Sequence, residues 1–180
     1  MPQHPYLWHP ILVHFTIALL VASTFLYVAA WLTRSETWIA RLISAAEVNL
    51  WVGTVMTVFT VALGALAYTT VPHDDAAHGP MLAHRAWGLT TFAIFTGLAL
   101  VSIWHRKLAR YPSLLFAFAM LVGMAALTET GLRGGQLVFE HGLGVDRPLS
   151  NKPVAPTAND AKNPISVERH HEHHHDHHHD

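Results

Sequence analysis

Four long apolar runs dominate the pattern of hydrophobic and polar positions, at 11–32, 50–68, 86–104 and 114–132. A bilayer crossing takes about 20 residues, so each run is long enough for one transmembrane helix. The second run reads as beginning earlier, near Ala45, with Glu47 and Asn49 at its entrance. A soluble bundle helix keeps a polar stripe toward water. The third run, "TTFAIFTGLALVSIW", has only Thr and Ser to offer for one. The pattern therefore predicts an all-α protein, an integral membrane four-helix bundle. Pro10 suits the first turn of the first helix, where its missing N–H costs nothing. Pro112 marks the start of the fourth, and Gly134-Gly135 is expected to end it. Gly53, Gly64, Gly88, Gly97 and Gly123 dot the spans and would allow close helix approach.

Beyond residue 145 the pattern changes. Residues 146–169 hold "RPLSNKPVAPTANDAKNP", with four prolines and little to bury, and are expected to be a flexible linker. Residues 170–180, "HHEHHHDHHHD", form a histidine-rich tail, expected to be disordered. The organisation expected is thus a four-span membrane domain at 1–145, a linker and a tail. Composition agrees, with 51% hydrophobic and 13% charged residues. A formal net charge of −1 leaves no electrostatic footprint for nucleic acid. The chain has no cysteine, which excludes disulfides, zinc–thiolate sites, iron–sulfur clusters and covalent CxxCH haem attachment. No GxSxG nucleophile elbow supports a hydrolase reading.

Basic residues set the orientation. Arg34 and Arg41 follow the first run, and Arg106, Lys107 and Arg110 follow the third. The opposite side has Arg85 in its connecting loop, with Arg133 and Arg147 after the fourth run weakening the contrast. The bias places both termini outside the cytoplasm of a bacterial inner membrane. The N-terminal stretch lacks the basic n-region of a signal peptide.

On this topology most histidines gather at the extracytoplasmic end. His9 and His14 lie where the first span enters, His84 where the third enters, and His141 just past the fourth exit. His73 and His78, in "VPHDDAAHGP", are weaker candidates, and His105 lies on the other side. Ionisable groups at membrane depth are costly and usually functional. Several imidazoles converging from different spans suit a haem or a metal ion.

The stretches "HPILVHF", "HR" at His84-Arg85 and "GGQLVFEHGLGV" resemble a bacterial group of four-helix membrane proteins, domain of unknown function 2231. The resemblance covers about residues 7–145 and implies a four-span fold, with His9, His14, His84 and His141 matching the family's histidine positions. Thr16 stands where the family often has proline after "HF". Some relatives look fused to cytochrome c-like segments, which turns the expectation toward electron transfer.

Two functions follow. The first is a b-type haem protein, with His14 and His84 as the leading ligand pair. Here Gly88 leaves room beneath His84, while Arg85 and Arg133 meet the propionates. His9 and His141 would ligate a second haem or support the first pair by hydrogen bonds. The redox partner would be a periplasmic electron carrier. The second is a divalent transition-metal (Ni, Co, Zn or Cu) binding or transport accessory protein. Three or four of the bundle-end imidazoles, with Glu129 or Glu140, would suit such an ion, and the tail adds eight more: His170, His171, His173, His174, His175, His177, His178 and His179. Interleaved Glu172, Asp176 and Asp180 would raise the local cation concentration. Separate histidine-bearing parts of the chain would then serve different chemistry.

Overall fold

The structure is a computed structural model that describes residues 8–71, 75–108 and 113–143, without the side chains of 105–108. All of these belong to one compact unit, Met1–Val145. The linker and the histidine tail lie outside the described residues, as do His73, Arg110 and Pro112. Four α-helices follow one another: α1 (Trp8–Leu32), α2 (Glu36–Thr70), α3 (Asp75–Leu108) and α4 (Leu114–Phe139). The main contacts are α1 on α2 and α3 on α4; contacts of α2 with α3 and of α1 with α4 close the ring. Short connections make sequence neighbours antiparallel. One end of the bundle therefore gathers the start of α1, the end of α2, the start of α3 and the end of α4.

Local chemistry sets several helix ends. Ser113 caps α4 by accepting the Phe116 N–H at 3.2 Å. Glu36 lies in the first turn of α2, where the helix dipole favours an anion. At the other end of α4, the Gly142 N–H donates to the Val138 carbonyl at 3.0 Å. Gly142 has φ 62°, the left-handed turn that a glycine adopts without cost.

Three helices outrun the apolar runs that announced them. α2 starts at Glu36 rather than near Ala45, and α3 starts at Asp75, well before residue 86. Hydropathy marks where a helix meets lipid, whereas the helix itself continues through polar turns. α3 even passes Pro80, at the loss of one ladder hydrogen bond. α4 does not end at Gly134-Gly135 but runs on to Phe139. Each glycine costs a helix about 1 kcal/mol, and tertiary packing against Gly134 offsets this, as described below.

All four helices are long and apolar enough to cross a membrane. The distribution of side chains supports that environment. Phe15, Phe25, Phe118, Trp104 and Leu115 point outward, each more than half exposed. Such a surface suits lipid and not water. Inside, hydroxyls mix with hydrocarbon: Thr16, Ser23, Thr24, Thr54, Thr57, Thr91 and Ser102 are buried beside Leu20, Leu50, Phe95 and Met120. Most of these hydroxyls are satisfied by a carbonyl one turn back, as Thr24 is by Leu20, Thr54 by Leu50 and Thr57 by Gly53. Ser23 instead crosses to the Ala46 carbonyl at 2.8 Å and ties α1 to α2.

The two helical hairpins are built to one plan. On α1, the inward positions His9, Thr16 and Leu20 recur 75 residues on as His84, Thr91 and Phe95 of α3. On α2, Gly53, Thr60 and Gly64 recur 70 residues on as Gly123, Thr130 and Gly134 of α4. The contacts recur with them. A side chain at Gly53 would strike Leu20, and one at Gly123 would meet Phe95 and Ile94. The bundle is thus a pseudo-twofold pair of hairpins, α1–α2 and α3–α4.

Candidate functional site

The inward face of α1 is read at His9, Thr16, Leu20 and Tyr27, spaced by seven, four and seven residues. This helical spacing keeps all four on one side. His9 tops that face and leans onto α2, where its Nδ1 lies 2.9 Å from the Thr60 carbonyl. The counterpart on α3, His84, leans onto α4, with Nδ1 3.1 Å from the Thr130 carbonyl. A carbonyl only accepts, so each Nδ1 carries the proton and each Nε2 keeps its lone pair. Both imidazoles are half-buried.

Two further features hold each ring. Beneath His9, the hydroxyls of Thr16 and Thr60 meet at 2.9 Å; beneath His84, those of Thr91 and Thr130 do the same at 2.9 Å. Beside each ring stands a glycine. A Cβ at Gly64 would lie 3.0 Å from Cε1 of His9, and one at Gly134 would lie 3.1 Å from Cε1 of His84. The absent side chains make the seats in which the imidazoles rest. The same four parts (imidazole, carbonyl, hydroxyl pair, glycine) therefore occur twice. Thr60→Val keeps shape and removes one hydroxyl. We expect it to cost about 0.6–1.5 kcal/mol of stability, the range for such bonds in membranes and in water, measurable by chemical unfolding in detergent.

The other residues singled out in the sequence take different places. His14 is exposed, and its Nδ1 donates to the Pro10 carbonyl of its own helix at 2.6 Å. His9 and His84 thus occupy equivalent positions in the two hairpins, whereas His14 bonds within its own helix. The reason is angular: five residues on an α-helix turn by about 140°, so His9 and His14 cannot face the same way. His141 is half-buried in the turn after α4. A Cβ at Gly88 would make one ordinary contact, with Thr130 at 3.8 Å. His78 is exposed on α3, with its ring 6.5 Å from that of Tyr68.

Arg85 and Arg133 sit at the same end as the imidazole pair. The Arg85 guanidinium lies 5.3 Å over the Tyr68 ring. That of Arg133 lies 5.8 Å over Trp87 and pairs with Glu129 at 2.6 Å. The Nε of Arg133 is buried and meets no hydrogen-bond partner. Among the described residues no group of three or more His, Asp or Glu side chains is placed to hold a metal ion.

Sequence reasoning found the two imidazoles but missed Thr16, Thr60, Thr91, Thr130 and the seating roles of Gly64 and Gly134. The signal was present: "HPILVHFT" and "HRAWGLTT" share a histidine and a threonine seven apart, and "TVALG" and "TGLRG" share a threonine and a glycine four apart. The profile of the DUF2231 family, described as a predicted membrane protein, matches residues 4–147. No curated protein and no solved structure matches the chain.

Proposed function

The chain belongs to the DUF2231 family of membrane proteins, and we propose that this member binds one b-type haem between its two hairpins for electron transfer. The observation that supports this reading is the paired imidazole arrangement of His9 and His84. Each ring spends its Nδ1–H on a backbone carbonyl and keeps Nε2 as a lone-pair donor, which fixes the tautomer and orientation that ligation needs. The two donors come from opposite hairpins. Among the described residues no third ligand joins the two imidazoles, which suits a haem better than zinc with its usual three or four protein ligands. The donor set therefore fits haem, and His9 and His84 would hold it. Haem b supplies a one-electron iron couple. The chain's own part is to set the two rings, to keep them in an apolar surround and to offer positive charge nearby. Arg85 and the free Nε of Arg133 are the groups placed to meet carboxylates.

Pyridine haemochrome analysis of the detergent-purified protein tests the reading, with one haem b per chain as the expected result. A haem-free protein would return His9 and His84 to the role of bonding two hairpins together.

The orientation belongs to the same proposal. Arg34, between α1 and α2, and Arg41, near the start of α2, lie at the opposite end of the bundle from the imidazoles. Basic residues favour the cytoplasmic side, so the imidazole end would face outward from a bacterial inner membrane and toward a periplasmic electron carrier. A C-terminal reporter active only in the cytoplasm should then be silent; a bright one would reverse the topology.

We also infer that the tail is a separate binding segment for divalent transition metals. It carries eight histidines in eleven residues, and neutral imidazole binds borderline metals. Removing 168–180 should abolish most nickel or zinc binding in an equilibrium dialysis assay and leave bundle haem unchanged. Loss of haem on truncation would contradict the separation.

A further inference from the structure

We infer that the groove between α1 and α4 binds an isoprenoid quinone or quinol. The groove has a volume of about 560 Å3. Ile17 and Val21 form its α1 wall, and Gly131 and Gly135 open its α4 wall. Its upper end is polar, where Gln136 and Glu140 stand one turn apart. Glycines in membrane helices ordinarily serve close helix approach. These two do not: a Cβ at Gly131 or Gly135 would meet nothing within 4 Å. α4 thus carries two glycines, each unfavourable in a helix, whose result in the folded chain is open space.

Shape and charge together select the occupant. Apolar walls leading to a carboxylate and an amide suit a molecule with a hydrocarbon tail and a neutral headgroup that hydrogen-bonds. Gln136 can donate to a quinone carbonyl, and Glu140 can accept from a quinol hydroxyl. A phospholipid fits less well. Its phosphate would meet Glu140, and among the described residues no Lys or Arg lines the groove. A second copy of the chain fits less well too. Parallel copies about a twofold axis would bring their Glu140 carboxylates to the same depth near that axis, and like charges oppose each other.

The choice of a redox carrier over other neutral lipids rests on the haem reading. α4 makes the connection. Thr130 and Gly134 hold His84 on one face of this helix, while Gly131 and Gly135, each the next residue along, line the groove on an adjacent face. A bound headgroup and the imidazole would be separated by the thickness of a single helix, narrowed by glycine.

Photolabelling of the full-length protein in nanodiscs with an azido-substituted short-chain quinone tests this. Saturable labelling within α1 and the 127–140 segment of α4 is expected. Gly131→Leu and Gly135→Leu fill open space, so the fold should survive, and each should cut labelling by about tenfold by occupying the volume that the ligand needs. Gly97→Leu is the control, since Gly97 also faces open space but lies outside the groove. Undiminished labelling in the Gly131 and Gly135 variants would overturn the proposal. So would a tightly held phospholipid that the quinone does not displace, or a wild-type dimer that Gly135→Leu dissolves. Haem-free protein that still labels saturably would support the groove and sink the haem reading. Haem-loaded protein without saturable labelling would do the reverse.

Discussion

Replacing His84 by alanine should abolish the proposed haem binding while leaving the bundle folded. The geometry explains both halves of that expectation. His84 would be one of the two residues that hold the haem, and no other imidazole among the described residues bonds the Thr130 carbonyl. The fold, by contrast, loses little. The Thr130 carbonyl also belongs to the ladder of α4 and keeps its bond to the N–H four residues on. One intramolecular hydrogen bond of this kind contributes about 0.5–1.5 kcal/mol net. His9→Ala should behave in the same way, because His9 occupies the equivalent position against Thr60. His14→Ala should retain full occupancy, since His14 is exposed and bonds only its own helix. Haem content and circular dichroism of the three variants check this together. Full haem in both His9→Ala and His84→Ala would remove the pair from the site; loss in His14→Ala alone would restore the pairing expected from depth in the sequence.

The second large effect is expected at the seats. Leucine at Gly134 would place Cβ 3.1 Å from Cε1 of His84 and 3.5 Å from its Nδ1. The glycine belongs to a helix backbone, so the imidazole is the partner that must give way. Moving the ring breaks its bond to the Thr130 carbonyl and turns Nε2 off its line. Gly134→Leu should therefore lose most of its haem, as should Gly64→Leu through His9. Overpacking of this kind costs about 1–3 kcal/mol, and relief of a helical glycine returns up to about 1 kcal/mol, so the variants should remain folded. The neighbouring Gly135→Leu should keep its haem, because a side chain there meets open space. Equal occupancy in Gly134→Leu and Gly135→Leu would show that the contact with His84 positions nothing.

The contrast between adjacent glycines bears on how much the sequence discloses. The four spans are legible because a lipid-facing helix has no choice about being apolar. Helix ends are not legible in the same way. Glu36–Arg41 and Asp75–Arg85 are polar enough to look like loops, yet both continue the helices that they begin. Gly134-Gly135 looks like a stop, and only the seat that Gly134 makes for His84 shows why a helix runs through it.

The site was half legible. Residue type and depth single out His9, His14 and His84, but depth alone ranks His14 first. Helical phase decides differently: His9 shares its face with Thr16 and Leu20, both buried, whereas His14 lies beside exposed Phe15. The repeat was hidden for another reason. Its first helices are offset by 75 residues and its second by 70, so no single period aligns both. Outward positions drift freely as well, because lipid accepts any apolar side chain. What recurs is the inward set, where histidine meets carbonyl, hydroxyl meets hydroxyl and glycine meets a ring.

On the proposal made above, His9 and His84 of that inward set would hold one haem. The most direct test of that proposal is the visible absorption spectrum of the detergent-purified protein before and after dithionite. A Soret band is expected in the oxidised protein, with sharp α and β bands on reduction. A colourless protein, with or without metal by elemental analysis, would contradict it.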